Sequence, residues 1–398
     1  VVEIEGYVAP GFEAVRQAFS DNFQSRGELG AACAVYRSGK GVVDLWGGFR
    51  DRASGAKWGS DTMVLVYSST KGMAGLAIAL AHSRGLIDYD ALVCTYWPEF
   101  SQAGKEQITV RQLLAHQGGL AALDARVDRD VVADPDLLAE ALAAQRPAWT
   151  PGARQGYHNF SLGFYESELI RRVDPKHRTI GQFFQDEIAA PLGLDFFIRL
   201  PADIPNDRLA TIEGANPMAT LLWLLPRYPR LAFALVNPRS ISFRAMMVNP
   251  GPRLPFDPDH VYARDLEVPS GGGVGTARAL ARAYDAFGNG GSEVGLRADT
   301  LEAIMAPVVP PSGGFYDLCM KREMRLSLGF LKPSRLYAFG SEAAFGAPGA
   351  GGSFAFADPT ANLGYAYVTN RMGVQVGGDP RELAVRRAVR LCAAGSAA

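Results

Sequence analysis

The sequence predicts an α/β (α+β) protein whose sheet is assembled from both ends of the chain, with a mainly helical insertion between them. Three observations carry this expectation. Strand-like runs at 31–36 and 42–46 are joined by Arg37-Ser-Gly-Lys-Gly41, which reads as a hairpin turn. Strand character then thins out and returns only at 325–330, 352–357 and 363–369. Between 87 and 270 apolar residues recur at helical spacing instead. The expected division is 1–86 with 271–398 as a discontinuous α/β domain, and 87–270 as the insertion.

Taken in order, Phe12, Val15, Phe19 and Phe23 lie at helical spacing before Gly27 and Gly30 interrupt the pattern, so a helix opens the chain. Residues 70–82, Thr-Lys-Gly-Met-Ala-Gly-Leu-Ala-Ile-Ala-Leu-Ala-His, are apolar nearly all round, and such a helix has to be buried on most sides. Helical patterns follow at 108–116, 136–145, 160–173 and 179–191. From 205 to 270 ten prolines interrupt a segment otherwise rich in Leu, Trp, Phe and Met, which predicts an ordered, apolar loop region. The last two strand runs flank Asp358-Pro-Thr-Ala-Asn362, a good turn. Asp379 and Pro380 suit the cap and first position of a closing helix, on which the arginines from Arg381 to Arg390 are expected to form a solvated face.

At 398 residues, with 48% hydrophobic and 20% charged side chains, the chain falls among ordinary globular proteins, and disordered or fibrous classes are excluded. Forty basic and forty-one acidic residues leave a net charge of −1 without any block of like charges, so no nucleic-acid partner is expected. Cys33, Cys94, Cys319 and Cys392 are far apart and read as thiols rather than zinc ligands or a disulfide framework. The apolar run 218–225, closed by Pro217 and Pro226, is far short of the ~20 residues a membrane span needs. Val1-Val-Glu-Ile-Glu-Gly6 shows no basic region followed by an apolar run, so no signal peptide is read in this chain and a cytoplasmic location is the expectation.

A serine hydroxyl needs a base within hydrogen-bond reach to act as a nucleophile. Ser68-Ser-Thr-Lys71 supplies one, because residues three apart share a helix face and burial depresses an amine's pKa. The pattern also occurs at Ser54-Gly-Ala-Lys57, but in a polar stretch with no helix signal, whereas Ser68 opens the buried helix. There its backbone amide is free to polarise a carbonyl, although a plain N-cap is the bland alternative. Tyr157-His-Asn159 is the second element, since a tyrosine near a lysine ammonium can serve as a proton acceptor; alone, such a tyrosine is more often a packed aromatic.

These two motifs, with Val110-Arg-Gln-Leu-Leu-Ala-His-Gln-Gly-Gly-Leu120 and Gly346-Ala-Pro-Gly-Ala-Gly-Gly352, occur in the order seen in serine β-lactamase-related proteins. Over nearly the whole chain the sequence most resembles the family VIII carboxylesterases, which are similar to class C β-lactamases. The resemblance implies an antiparallel sheet flanked by helices with an inserted, mainly helical domain. It also implies Ser68 as nucleophile, Lys71 as its proton partner, Tyr157 as general base, Asn159 as a polar neighbour of the acyl group, and the amides of Ser68 and Ala350 as the oxyanion hole. No cofactor or metal is implied, and the partner is a small-molecule ester. One departure matters. Where β-lactamases and transpeptidases carry Lys-Thr-Gly, this chain has Ala347-Pro348-Gly349. Ala347 offers a lactam carboxylate no cationic partner, which favours neutral esters, while Gly349 still permits close backbone approach.

Several other features have plainer readings. Gly351-Gly-Ser-Phe-Ala355 lacks the strand-to-helix context of a nucleophile elbow. His82, His116, His158, His177 and His260 show no metal-ligand spacing; His116 is expected to pack beside the Gln-Gly-Gly turn, and His158 is a candidate to line the site. Ser270-Gly-Gly-Gly-Val-Gly-Thr276 reads as a loop rather than a nucleotide site. Trp223, Phe233, Phe243, Met246 and Met247 are candidates for an acyl pocket, with core packing as the competing role. The expected function is hydrolysis of small or medium acyl esters through an acyl-Ser68 intermediate. The alternatives are a β-lactamase, peptidase or acyltransferase using the same site, and a catalytically silent binding protein on the same fold.

Overall fold

The computed structural model describes residues 2–257, 260–264 and 266–395. Eight strands, β1 (Ile4–Val8), β2 (Gly30–Arg37), β3 (Lys40–Asp51), β4 (Leu326–Ser327), β5 (Phe330–Leu331), β6 (Phe345–Pro348), β7 (Phe354–Asp358) and β8 (Leu363–Thr369), form an antiparallel sheet in the order β1-β3-β2-β8-β7-β6-β5-β4. A two-residue strand, Ala56–Lys57, pairs with β3. The two chain ends meet where β2 pairs with β8, Ala34 standing opposite Ala366. The predicted hairpin turns through Ser38 and Gly39, both with positive φ, which is the backbone twist a two-residue connection requires. β1 escaped prediction because it is an edge strand whose central residues, Glu5, Gly6 and Tyr7, are exposed.

Strand alternation sorts the sheet into two faces. Ala31, Cys33, Val35, Phe354, Phe356, Tyr365 and Tyr367 share one core with residues of α1 (Glu13–Ser25) and of the closing helix. The other face is small, with Ala32, Ala34, Ala355, Ala357 and Ala366, and carries α2 (Ser69–Ser83) and a later helix, Ala277–Gly288. Small residues let those helices approach closely: a Cβ on Gly364 would lie 2.3 Å from the Ala281 carbonyl oxygen. As expected, α2 is buried all round, with every residue but His82 in the interior. A second sheet, Val64–Leu65, Val274–Gly275 and Phe196–Phe197, ties the chain just before α2 to the glycine run.

Between these parts lie α3 (Pro135–Ala144) and α4 (Ser161–Val173), close to the predicted bounds. The 205–270 segment corrects the loop expectation, since it contains α5 (Pro217–Arg227) and α6 (Pro229–Val236). Pro217 and Pro229 occupy first helical turns, where a missing N–H costs nothing, and the Asn216 side chain caps α5 by accepting from the amides of Met218 and Ala219. The closing helix, α7 (Pro380–Gly395) in chain order among those labelled, corrects a second expectation. Arg387 and Arg390 are exposed, but Arg381 and Arg386 are buried and paired, Arg381 with Glu28 at 2.9 Å and Asp379 at 2.8 Å, Arg386 with Glu382 at 2.7 Å. Asp379 and Glu382 are local partners, but Glu28, at the other end of the chain, is one the local sequence does not reveal.

Candidate active site

The chain enters α2 through Tyr67, whose φ of +47° is a left-handed conformation that a bulky side chain keeps only when its surroundings hold it. Ser68 takes the N-cap position but makes no capping hydrogen bond with its side chain. Its hydroxyl oxygen lies 3.3 Å from Nζ of Lys71. That amine also donates to the backbone carbonyls of Asn159, at 2.6 Å, and Ser270, at 2.8 Å. Lys71 is only 3% exposed. Removing it from water disfavours the charged form and lowers its pKa to about 7, against the opposing pull of Glu166. The decoy Ser54 instead sits in an exposed turn held by Asp51.

Tyr157 packs its ring under the same amine, 4.8 Å from the ring centroid. Burial pushes its phenol well above the ordinary value, and a hydrogen bond with Ser68 only partly offsets this. Burial therefore favours the neutral phenol over its ionised form. Its backbone is pinned by Asp317, whose Oδ1 accepts from the amides of Tyr157, Cys319 and Met320 at 3.1, 2.9 and 2.7 Å.

Of the two histidines, His158 does not line the cavity, whereas His116, packed beside its turn, borders it. His158 is fully buried; its Nε2 accepts from the Leu120 amide at 3.1 Å and its Nδ1 lies 2.7 Å from the Gly156 carbonyl, to which it donates. With both nitrogens satisfied and burial lowering its pKa to about 4, it braces the tyrosine loop and leaves no atom for substrate. His116 instead stacks on Tyr157, with ring centroids 5.2 Å apart, and borders the cavity, while its Nδ1 accepts from the His158 amide.

β6 runs beside the opening of α2. A Cβ on Gly349 would lie 2.2 Å from the Val66 carbonyl oxygen, so only glycine allows this approach. The next residue, Ala350, and Ser68 both present backbone amides that have no intramolecular acceptor among the described residues. Ala347 borders the same space but is largely covered, close against the helix at Gly72.

Together Ser68, Lys71, Tyr157, Asn159, Ala347, Gly349 and Ala350 border one open cavity of about 750 Å³. Its apolar wall comes from Met246, Met247, Met320, Met324, Leu326 and Leu331, among others. Trp223 and Phe243 are not part of that wall. Trp223 packs on Tyr228 inside the α5–α6 pair, and Phe243 is a half-buried residue one turn before the methionines that do reach the cavity.

Glu166 and Ser270 were not foreseen. The glycine run had been read as a loop, yet its first residue supplies one of the two carbonyls holding Lys71. Glu166, on α4, is fully buried, and neither carboxyl oxygen has a hydrogen-bond partner among the described residues. Burial raises its pKa to about 8, with Lys71 opposing. A Cβ on Gly329 would lie 3.1 Å from its Oε1 and 3.3 Å from the Cα of Gly75, one helical turn beyond Lys71. Nothing local in the sequence distinguishes this glutamate from its neighbour Glu168, which pairs conventionally with Arg171 and Arg172.

Residues 15–390 match the family described as Beta-lactamase. The chain is 35% identical, over 92% of its length and 83% of the relative's, to Esterase/beta-lactamase LipL of Mycobacterium tuberculosis. Among solved structures, a family VIII carboxylesterase superposes with a TM-score of 0.85 at 36% identity, covering 98% of this chain and all of the other. A penicillin-binding protein homologue from Caulobacter crescentus superposes with a TM-score of 0.82 at 34% identity, over 98% of this chain and 100% of its own.

Proposed function

This chain belongs to the beta-lactamase family and is a serine ester hydrolase, and from that premise we propose that it cleaves small to medium acyl esters through an acyl-Ser68 intermediate. One observation carries the reading. The two carbonyls of Asn159 and Ser270 engage two N–H bonds of Lys71, and a neutral amine so held has its lone pair left for the Ser68 hydroxyl. With a pKa near 7, the amine is neutral in a useful fraction of molecules at physiological pH.

In the proposed sequence, the Ser68 O–H proton passes to Nζ of Lys71 as Oγ attacks the ester carbonyl carbon. The developing oxyanion is met by the amides of Ser68 and Ala350. Collapse breaks the bond to the alkoxide, which takes a proton through the Tyr157 phenol, resupplied from Lys71. Water then repeats the attack with the same groups and releases the acid, restoring the serine. Lys71 is thus the base of the free enzyme, and Tyr157 the donor to the leaving group.

Ala347 supports an ester over a lactam substrate, since the residue at this place on β6 carries no charge. The test is Ser68→Ala assayed with p-nitrophenyl acetate and butyrate. Loss of about 10³-fold or more is expected, and undiminished turnover would sink the assignment. Nitrocefin turned over faster than the esters would favour the lactamase alternative.

A further inference from the structure

We propose that the outer face of α5 and α6, with the turn that follows them, is a docking surface for an anionic lipid bilayer. The inner sides of the two helices close a small core of their own, in which Leu224, Leu231 and Ala232 pack with Leu221, Tyr228 and Leu235. Their outer sides are also apolar. Met218, Leu222 and Leu225 lie at i, i+4 and i+7 on α5, and Phe233 and Val236 one turn apart on α6. Leu222 is 63% and Phe233 65% exposed, and Met247 beyond them is exposed as well. Scattered exposed apolar side chains are ordinary, but five on two helices that pack together point to a surface that meets something.

Charge identifies the occupant. From residue 214 to 256 there are five arginines and no aspartate or glutamate, in a chain whose net charge is −1; the remainder therefore carries −6. Arg227, Arg230 and Arg239 are exposed and form no ion pair among the described residues, while Arg244 is paired with Asp124. A segment with exposed apolar side chains and arginines but no acidic residues has the composition of one that lies in a membrane interface. A second copy of the chain fits less well, because a two-fold contact through this face would oppose like charges. Among the described residues no helix is long and apolar enough to cross a membrane, so the association is peripheral. Thr220 of α5 and Met247 border the cavity, so docking by this face would bring the cavity mouth to the headgroups and favour acyl esters carried by the lipid phase. That consequence rests on the ester-hydrolase reading; the binding itself does not.

The experiment is vesicle co-sedimentation of the full chain. Phosphatidylcholine vesicles containing about 30% phosphatidylserine are expected to bind it at least about tenfold more than phosphatidylcholine alone, and added salt to weaken the binding. Leu222→Ser with Phe233→Ser, and separately Arg227→Glu with Arg230→Glu, are expected to abolish it. Neither pair touches the cavity, so both variants should turn over soluble p-nitrophenyl butyrate as the parent does, which confirms their folding. Ser68→Ala should still sediment, so a failed hydrolase reading and a failed docking reading are told apart. Equal sedimentation with both vesicle types, variants that sediment like the parent, or a dimer in analytical ultracentrifugation that Leu222→Ser with Phe233→Ser dissociates would each overturn the proposal.

Discussion

The protonation state of Lys71 makes the pH dependence of turnover the most direct probe of the site. Its pKa near 7 follows from burial, with the ionised form of Glu166 acting to raise it. Catalysis that begins with a neutral amine is present above that value and lost as pH falls through it. Between about pH 8 and about pH 6 the neutral fraction drops from roughly nine-tenths to roughly one-tenth, so kcat/KM should fall about tenfold. Glu166→Gln keeps the shape of the side chain but removes the ionised form, whose share grows as pH rises towards the carboxyl's own value of about 8. The acid limb should then move to lower pH to the extent that Glu166 is ionised there, and it should not rise. The assay is the initial rate on p-nitrophenyl butyrate well below KM, read at a wavelength independent of nitrophenol ionisation. An acid limb below about pH 5.5 would refute the lysine assignment, since it would report a carboxylate. A limb that moves upward in Glu166→Gln would refute the coupling.

Two further expectations concern packing around the site. A Cβ on Gly72 would lie 1.9 Å from the Tyr284 hydroxyl, itself buried without a hydrogen-bond partner among the described residues, so Gly72→Ala should destabilise by about 1–3 kcal/mol in urea unfolding. Tyr284→Phe alone should be neutral or stabilising and should restore part of the loss in the double variant; equal losses in single and double variants would show that the clash is not with this oxygen. Arg381 binds Glu28, Asp379 and, at 3.0 Å, the carbonyl of Gly351, next to Ala350. Arg381→Met leaves buried carboxylates unpaired and should cost about 3–5 kcal/mol, whereas a loss under about 1 kcal/mol in the same measurement would mean that Glu28 simply takes up a proton.

The pairing of Ser68 with Lys71 was legible because it is local: three residues apart on a helix, two side chains share a face whatever lies around them. The buried character of α2 and the turn at Ser38-Gly39 were legible for the same reason, since composition and backbone sterics act within a few residues. The segment 205–270 misled because a proline that breaks a helix interior also begins a helix, and only the cap geometry at Asn216 separates the two. Arg381 misled because a carboxylate partner decides whether an arginine is buried, and its partner Glu28 lies at the other end of the chain.

The amine of Lys71 marks the boundary most clearly. The residue could be named from four letters of sequence, but its chemistry depends on carbonyls 88 and 199 positions away and on an unpartnered carboxyl from α4. The same holds for the histidines, both of them buried, where tertiary packing brought His116 rather than His158 to the cavity wall. Sequence alone determined which side chains are neighbours along a helix; the tertiary structure decided how much water each retains, and desolvation is what turns a lysine into a base.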